Sequence, residues 1–358
     1  MTVLHSIDDL TTTWLTDVLR DKGVLDCGHV TDVTEASTNH QASLNYFLNV
    51  SYSADAPVSA PKTLFLKLSR PERLPLTASE VEYYTKIVAQ TPLKITPICY
   101  SAEYDSEKGA YHILLEDVSA THTGLSLSYP PVTAHALAMA KTLARLHAYW
   151  WEKPTLNTVS DLPTEAVIQR YLDACLPGLL PMFDFLGDRI TDQQKHLITT
   201  LTEQYPRWML ARTQRTPSYL TLIHGDCHNA NWLLPKTDGD PYLVDRQPFD
   251  WSLTCWLGAS DLSYMMVHWW YPKYRERVEE SVLRTYHAEL LAQGVSDYSW
   301  QQLRDDYRLC AIQSLYVPLA WCTEGSLDNS SWIWYPKVMY TLDAIQHLGS
   351  QELLAQSL

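Results

Sequence analysis

The sequence predicts an α+β protein in two lobes, a small N-terminal lobe around an antiparallel sheet and a large, mainly helical C-terminal lobe. Three observations carry this. Short strand-like runs crowd the first third of the chain, and helical periodicity takes over from Thr133. Within the helical part a single polar stretch, LIHGDCHNANWLLP (222–235), is set between apolar runs. The acidic pair Glu116-Asp117 marks the connector, so the expected lobes are 1–117 and 118–358. A chain of 358 residues is long enough for a sizeable core.

Residues 6–23 read as an opening helix. Ser6 caps it, Asp9 stands at the capping-box position, Gly23 ends it, and Ile7, Leu10, Trp14 and Val18 recur at helical spacing. LNYFLNVSYS (44–53) and TLFLKLS (63–69) are aromatic and aliphatic runs of strand length, and the Ala-Asp-Ala-Pro between them suits a hairpin. SEVEYYTKIVAQ (79–90) reads as a helix starting at Ser79. ITPICYSAEYD (95–105) and AYHILLEDVS (110–119) read as two more strands. Strand, strand, helix, strand, strand makes an α+β lobe. A long helix then starts with Thr133 as N-cap and shows an apolar face of Leu137, Ala140, Leu143, Ala144, Leu146 and Trp150. NWLLP (231–235) and PYLVD (241–245), joined by KTDGD, form a strand hairpin, and from Gly258 the chain is helical again.

Composition narrows the function classes. With 46% hydrophobic and 19% charged residues the chain is an ordinary globular protein. A formal charge of −14 argues against a nucleic-acid binder, which needs a basic face. Seven scattered Cys without a C-x-x-C pair fit free thiols in a reducing compartment. No basic segment followed by an apolar run opens the chain, and no run has membrane-spanning length. A cytoplasmic location and no membrane partner are therefore expected; the oligomeric state is not legible. The 13 Trp and 22 Tyr are expected mostly in the core, with some free to line a ligand pocket.

The polar loop suits two chemistries, a metal held by imidazoles or a phosphate and its Mg²⁺ held by Asp and Asn. Asp226 is followed five positions later by Asn231, and the hairpin returns the chain to Asp245. Phosphoryl transfer needs one carboxylate to take the acceptor proton, and a second carboxylate with an amide oxygen to hold the cation. The rival is a metal-dependent hydrolase using His224, Asp226 and His228, which share a face if the segment is a strand.

His224-Gly225-Asp226, four residues, Asn231, and then an Asp ending an apolar strand resemble the signature of the aminoglycoside-phosphotransferase and choline-kinase-like superfamily. LARLHAYWW (143–151), Gln247 and GASDLSYMM (258–266) are similar to its ecdysteroid-kinase-like branch. The resemblance runs from about residue 35 to about 290. It implies a bilobal protein-kinase-like fold, ATP with Mg²⁺ (GTP remaining open), and a small-molecule hydroxyl acceptor such as an antibiotic, steroid, amino alcohol or sugar. It makes Asp226 the catalytic base, Asn231 and Asp245 the metal ligands, and His224 and Asp261 supports of the loop. It matches Lys67 to the lysine on the α- and β-phosphates and Glu80 to its partner. LLEDVS (114–119), with Glu116 and Val118, is the hinge whose backbone receives adenine.

EASTNHQASLNYF (35–47), the segment expected over the phosphates, contains no glycine, which leaves Ser37, Asn39 or Ser43 to supply donors. The missing glycines are also the main support for a second alternative, an inactive kinase fold that only binds. Arg246 clamps a phosphate or anionic acceptor, or pairs with Asp250. His147, on the apolar helix face, is expected as a hydrogen-bonded core residue. His228, Trp269 and Trp270 are candidate acceptor contacts. Asp250, Asp261, Glu324 and Asp328 tilt the expectation toward a cationic or polyhydroxyl acceptor.

Overall fold

A computed structural model describes residues 2–38, 43–246, 252–323, 327 and 330–357. It divides into two compact units, 1–123 and 124–358.

The first unit is a five-stranded sheet: β1 (Val30–Thr38), β2 (Leu44–Tyr52), β3 (Thr63–Leu68), β4 (Cys99–Asp105) and β5 (Ala110–Glu116). The spatial order is β1-β2-β3-β5-β4, with each neighbouring pair antiparallel. The two-residue period of a strand sorts β3 into two faces. Leu64, Leu66 and Leu68 are fully buried in a core shared with Leu15, Val18 and Leu19 of the helix Thr12–Asp21. Phe65 and Lys67 take the opposite face, where Phe65 meets Phe47 of β2 edge-on. The helix Ser79–Glu82 widens into π turns over Tyr83–Val88.

Two expectations for this unit need correction. The opening helix is broken. Ser6 and Asp9 do form a capping box, with the His5 and Ser6 amides each 2.9 Å from Asp9 Oδ2, but it closes only the 3₁₀ turn Ile7–Asp9. Leu10 is extended, and Thr11 recaps a second helix, its Oγ1 accepting from Trp14 N at 3.1 Å. A threonine that offers its side chain to the backbone competes with helix continuation, and here it wins. The second is an addition, the strand β1, whose last residues, Glu35–Thr38, open the segment expected to wrap phosphates. VTDVTEAST exposes nearly every side chain, so no apolar alternation announces it. Pairing to β2, from Val30↔Tyr52 to Thr38↔Tyr46, makes it a strand. Asn39 lies outside the described residues.

In the second unit the helix Thr133–Trp150 buries Ala136, Met139, Ala140, Leu143, Ala144, Leu146 and Trp150. Val132, one residue before the expected cap, occupies the N-cap position without a side-chain cap. The helix is tied to Pro272–Ala292 by His147 Nδ1 to the Tyr286 hydroxyl (2.7 Å) and by Arg145 Nε to Glu289 (2.9 Å). Strand Leu220–Leu222 pairs antiparallel with Cys255–Leu257, and Trp232–Pro235 with Tyr242–Leu243. The second pairing lets Val244 N donate to Asn231 O at 2.9 Å. Six of the 13 Trp, Trp150, Trp208, Trp232, Trp256, Trp270 and Trp334, are fully buried in the core. Among the described residues no helix is long and apolar enough to cross a membrane.

Candidate active site

The polar loop is held from below by one carboxylate. Asp261 sits on the short helix Gly258–Ser263 and accepts from the amides of His224 (2.7 Å) and Gly225 (2.9 Å). His147 Nε2 is 3.2 Å from the same carboxylate, and its other ring nitrogen is fixed by Tyr286. Burial pushes the Asp261 carboxyl up, but His147, followed by the smaller pulls of His224 and the Gly225 amide, holds it below its ordinary value. Gly225 has φ +80°, and a Cβ there would strike the Ser252 side chain. Cys227 is spent on structure, its thiol donating to Asp261 O at 3.0 Å.

This clamp presents Asp226, which is only 8% exposed. Its Oδ1 accepts from the Tyr264 hydroxyl at 2.7 Å, and its carbonyl accepts from Asn231 Nδ2 at 2.7 Å. Oδ2 lies 3.5 Å from Asn231 Nδ2 and 3.8 Å from His228 Nε2. Burial foremost, with the charges of Asp245 and Asp261, pushes the Asp226 carboxyl well up; Tyr264 and Asn231 only partly offset this. The result is a sheltered carboxylate of raised basicity. Tyr264 escaped the sequence reading, although GASDLSYMM places it three residues after Asp261, the spacing that puts both on one helix face. The helix passes into π turns at that residue, over Tyr264–His268.

His224 is not available as a metal ligand. Its Nδ1 accepts from Asp226 N (3.3 Å), and its Nε2 faces Val244 O (3.2 Å) and so carries the proton. Burial lowers its pKa to about 4, in keeping with a neutral ring. Residues 224–228 also form no strand, so the alternation behind a His224, Asp226, His228 set is absent. Among the described residues no three His, Cys, Asp or Glu side chains gather as a metal group. A hard cation fits better. Asn231 donates through nitrogen, while its amide oxygen accepts no hydrogen bond among the described residues. With the Asp245 carboxylate this is an oxygen set of the type Mg²⁺ takes. Asp245 has φ +61°, a left-handed conformation that aspartate tolerates better than most side chains.

The remaining expected residues divide. Arg246 is 3% exposed and donates to Ile223 O (3.1 Å) and Thr254 O (3.4 Å), stapling the start of the loop to its neighbour. Asp250, its other expected partner, lies outside the described residues, as do Gln247, Glu324 and Asp328. Trp270 is fully buried, with Nε1 on Asn229 Oδ1 at 3.1 Å, and belongs to the core. Trp269 stands edge-on to His228 at 5.2 Å between ring centres.

In the first unit Lys67 Nζ meets Glu80 Oε1 at 2.7 Å, both side chains almost wholly buried. Ser43 Oγ donates to Asn45 Oδ1 at 2.8 Å, and Asn45 lies opposite Lys67 in the β2–β3 register. The Glu116 amide is committed to Ile98 O (2.8 Å), and the Val118 carbonyl already takes the amides of Thr121 and His122.

The fold is kinase-like. It aligns with choline kinase from Cryptosporidium parvum Iowa II at a TM-score of 0.58 and 12% identity, over 96% of this chain and 98% of that one. It aligns with a structure assigned as an aminoglycoside phosphotransferase from Ralstonia eutropha JMP134 at a TM-score of 0.57 and 13% identity, over 95% and 98%. No curated protein matches the chain. The model of the ecdysteroid kinase-like family matches residues 74–294, more than half the chain. By fold and by family model together, the chain belongs to the ecdysteroid kinase-like family.

Proposed function

We propose that the protein is a small-molecule kinase that moves the γ-phosphoryl group of ATP to a hydroxyl of its acceptor. The observation that carries this reading is the Asp226–Asn231 pair on a loop whose two amides end on Asp261. Asp226 Oδ1 is occupied by Tyr264, so Oδ2 is the oxygen that receives the acceptor proton. The acceptor oxygen forms the new bond to phosphorus as its O–H bond breaks. The bond from phosphorus to the β,γ-bridging oxygen breaks in turn, and its electron pair leaves with ADP. Asn231 and Asp245 would hold Mg²⁺, which when bound neutralises phosphate charge. Lys67, oriented by Glu80, is assigned to the nucleotide phosphates.

The test is ADP release by the purified chain with Mg·ATP and a panel of hydroxyl acceptors. Asp226→Asn should lower turnover by about 10²–10⁴-fold, the usual weight of a positioned base. Nucleotide titration should show the variant still binding ATP. Full turnover in Asp226→Asn would remove the base from the scheme.

A further inference from the structure

Asp226 keeps one oxygen for the acceptor, and a second group of the same loop faces that oxygen. His228 Nε2 lies 3.8 Å from Asp226 Oδ2. That gap is too long for a direct hydrogen bond. One oxygen atom can bridge it at ordinary hydrogen-bond lengths of about 2.7 and 2.9 Å. The His228 and Asp226 side chains are 20% and 11% exposed, so neither is sealed from solvent.

Both groups are held in place. His228 N donates to Asp226 O at 2.9 Å and Asn231 N to His228 O at 3.0 Å, so one tight turn carries carboxylate and imidazole. Tyr264 takes Asp226 Oδ1 at 2.7 Å and so sets the turn of the carboxylate. The imidazole stands edge-on to Trp269, 5.2 Å between ring centres, which favours one ring orientation. Trp269 lies in turn under the Lys337 ammonium, 3.8 Å away, on the helix Ser331–Leu348. The three side chains expected at the acceptor thus separate. Trp270 fills core, Trp269 backs the imidazole, and His228 faces the carboxylate oxygen.

A ring nitrogen that faces a carboxylate oxygen carries the proton, because a lone pair there would meet negative charge. His228 Nε2 is therefore a donor. A hydroxyl oxygen has its proton and two lone pairs to place. With the proton on Asp226 Oδ2 and one lone pair on His228 Nε2–H, a single lone pair is left for phosphorus. We infer that Asp226 Oδ2 and His228 Nε2 form a two-point seat for the acceptor hydroxyl, fixing its oxygen and leaving its remaining lone pair to the γ-phosphorus. This deepens the kinase reading and rests on it. In the transfer the proton passes to Oδ2, the oxygen–phosphorus bond forms, and the β,γ-bridging oxygen leaves with its electron pair on ADP. His228 keeps its own proton throughout and acts by orientation.

Two measurements on the whole chain test the seat. A crystal structure without nucleotide should show a water within about 3.2 Å of both Oδ2 and Nε2, and His228→Leu should lose it. Kinetics follow ADP release from Mg·ATP with water and with glycerol as acceptors. His228→Leu should lower kcat at least about tenfold while the KM for ATP stays within about twofold. His228→Gln, which carries an N–H at similar reach, should recover most of the loss. Full activity in His228→Leu, or equal losses in the Leu and Gln variants, would overturn the seat and leave the kinase reading in place. A wild-type crystal without the bridging water would overturn it too. A His228-dependent water, with no ADP release to water, glycerol or the hydroxyl panel, would uphold the oxygen seat and overturn the kinase reading.

Discussion

Lys67 in the first unit and Lys337 in the second are each more than nine-tenths buried, and the two units treat the charge in opposite ways. Lys67 has Glu80 at 2.7 Å, so its charge is answered within the chain and its ammonium is held in one place. Lys337 has an indole face 3.8 Å away and apolar walls, and among the described residues no carboxylate pairs with it. A buried pair holds its ammonium in one place, whereas a ring face offsets only part of the desolvation of a buried charge. The distinction sorts two lysines that look equally ordinary in sequence.

The comparison breaks most sharply at Glu80. Glu80→Ala removes the buried carboxylate 2.7 Å from the Lys67 ammonium and should cost about 3–5 kcal/mol, read by denaturant unfolding. The double variant Lys67→Met/Glu80→Leu should recover most of that loss. A small penalty in the single variant would mean that the pair is not desolvated.

A second test asks whether the first unit tolerates an unanswered charge anywhere. His112 is fully buried, its Nδ1 accepting from Leu4 N at 3.0 Å, so the proton sits on Nε2 toward Ser101. Burial lowers its pKa from 6.5 to about 4. The folded form therefore binds fewer protons than the unfolded chain between those values. Stability should be flat above pH 6.5 and fall by about 3 kcal/mol as the pH drops toward 4. Unfolding curves across that window check it, and His112→Gln should lose this component of the slope.

The smallest effect carries the opposite sign. Lys337→Met removes a buried charge that no described carboxylate meets, but also its contact with Trp269. The balance should raise stability by about 1 kcal/mol, or roughly 2–4 °C in melting temperature. A melting point that falls as it does for Glu80→Ala would erase the contrast between the two lysines.

Much of the site was legible because its residues are fixed by local spacing. The interval from Asp226 to Asn231 is one loop, and the return to Asp245 is one hairpin, so neither depends on distant packing. The acidic clamp Asp261 was readable for a different reason, its place in GASDLSYMM. What escaped was set by partners far along the chain. Nothing in VTDVTEAST marks a strand until β2 lies beside it. Tyr264 becomes part of the site only when its helix is laid under the loop. Lys337, 111 positions after Asp226, carries no local signal at all; its meaning comes from the aromatic walls that tertiary packing assembles around it.

Gly258 shows how little would be needed to disable this arrangement. Its bare α-carbon lies against the His147 ring and the Tyr286 hydroxyl, and a β-carbon would collide with both. One added methyl group would thus push the imidazole off its carboxylate and slacken the whole loop. The proposed chemistry could be silenced from beneath, with every group assigned to nucleotide or acceptor left intact.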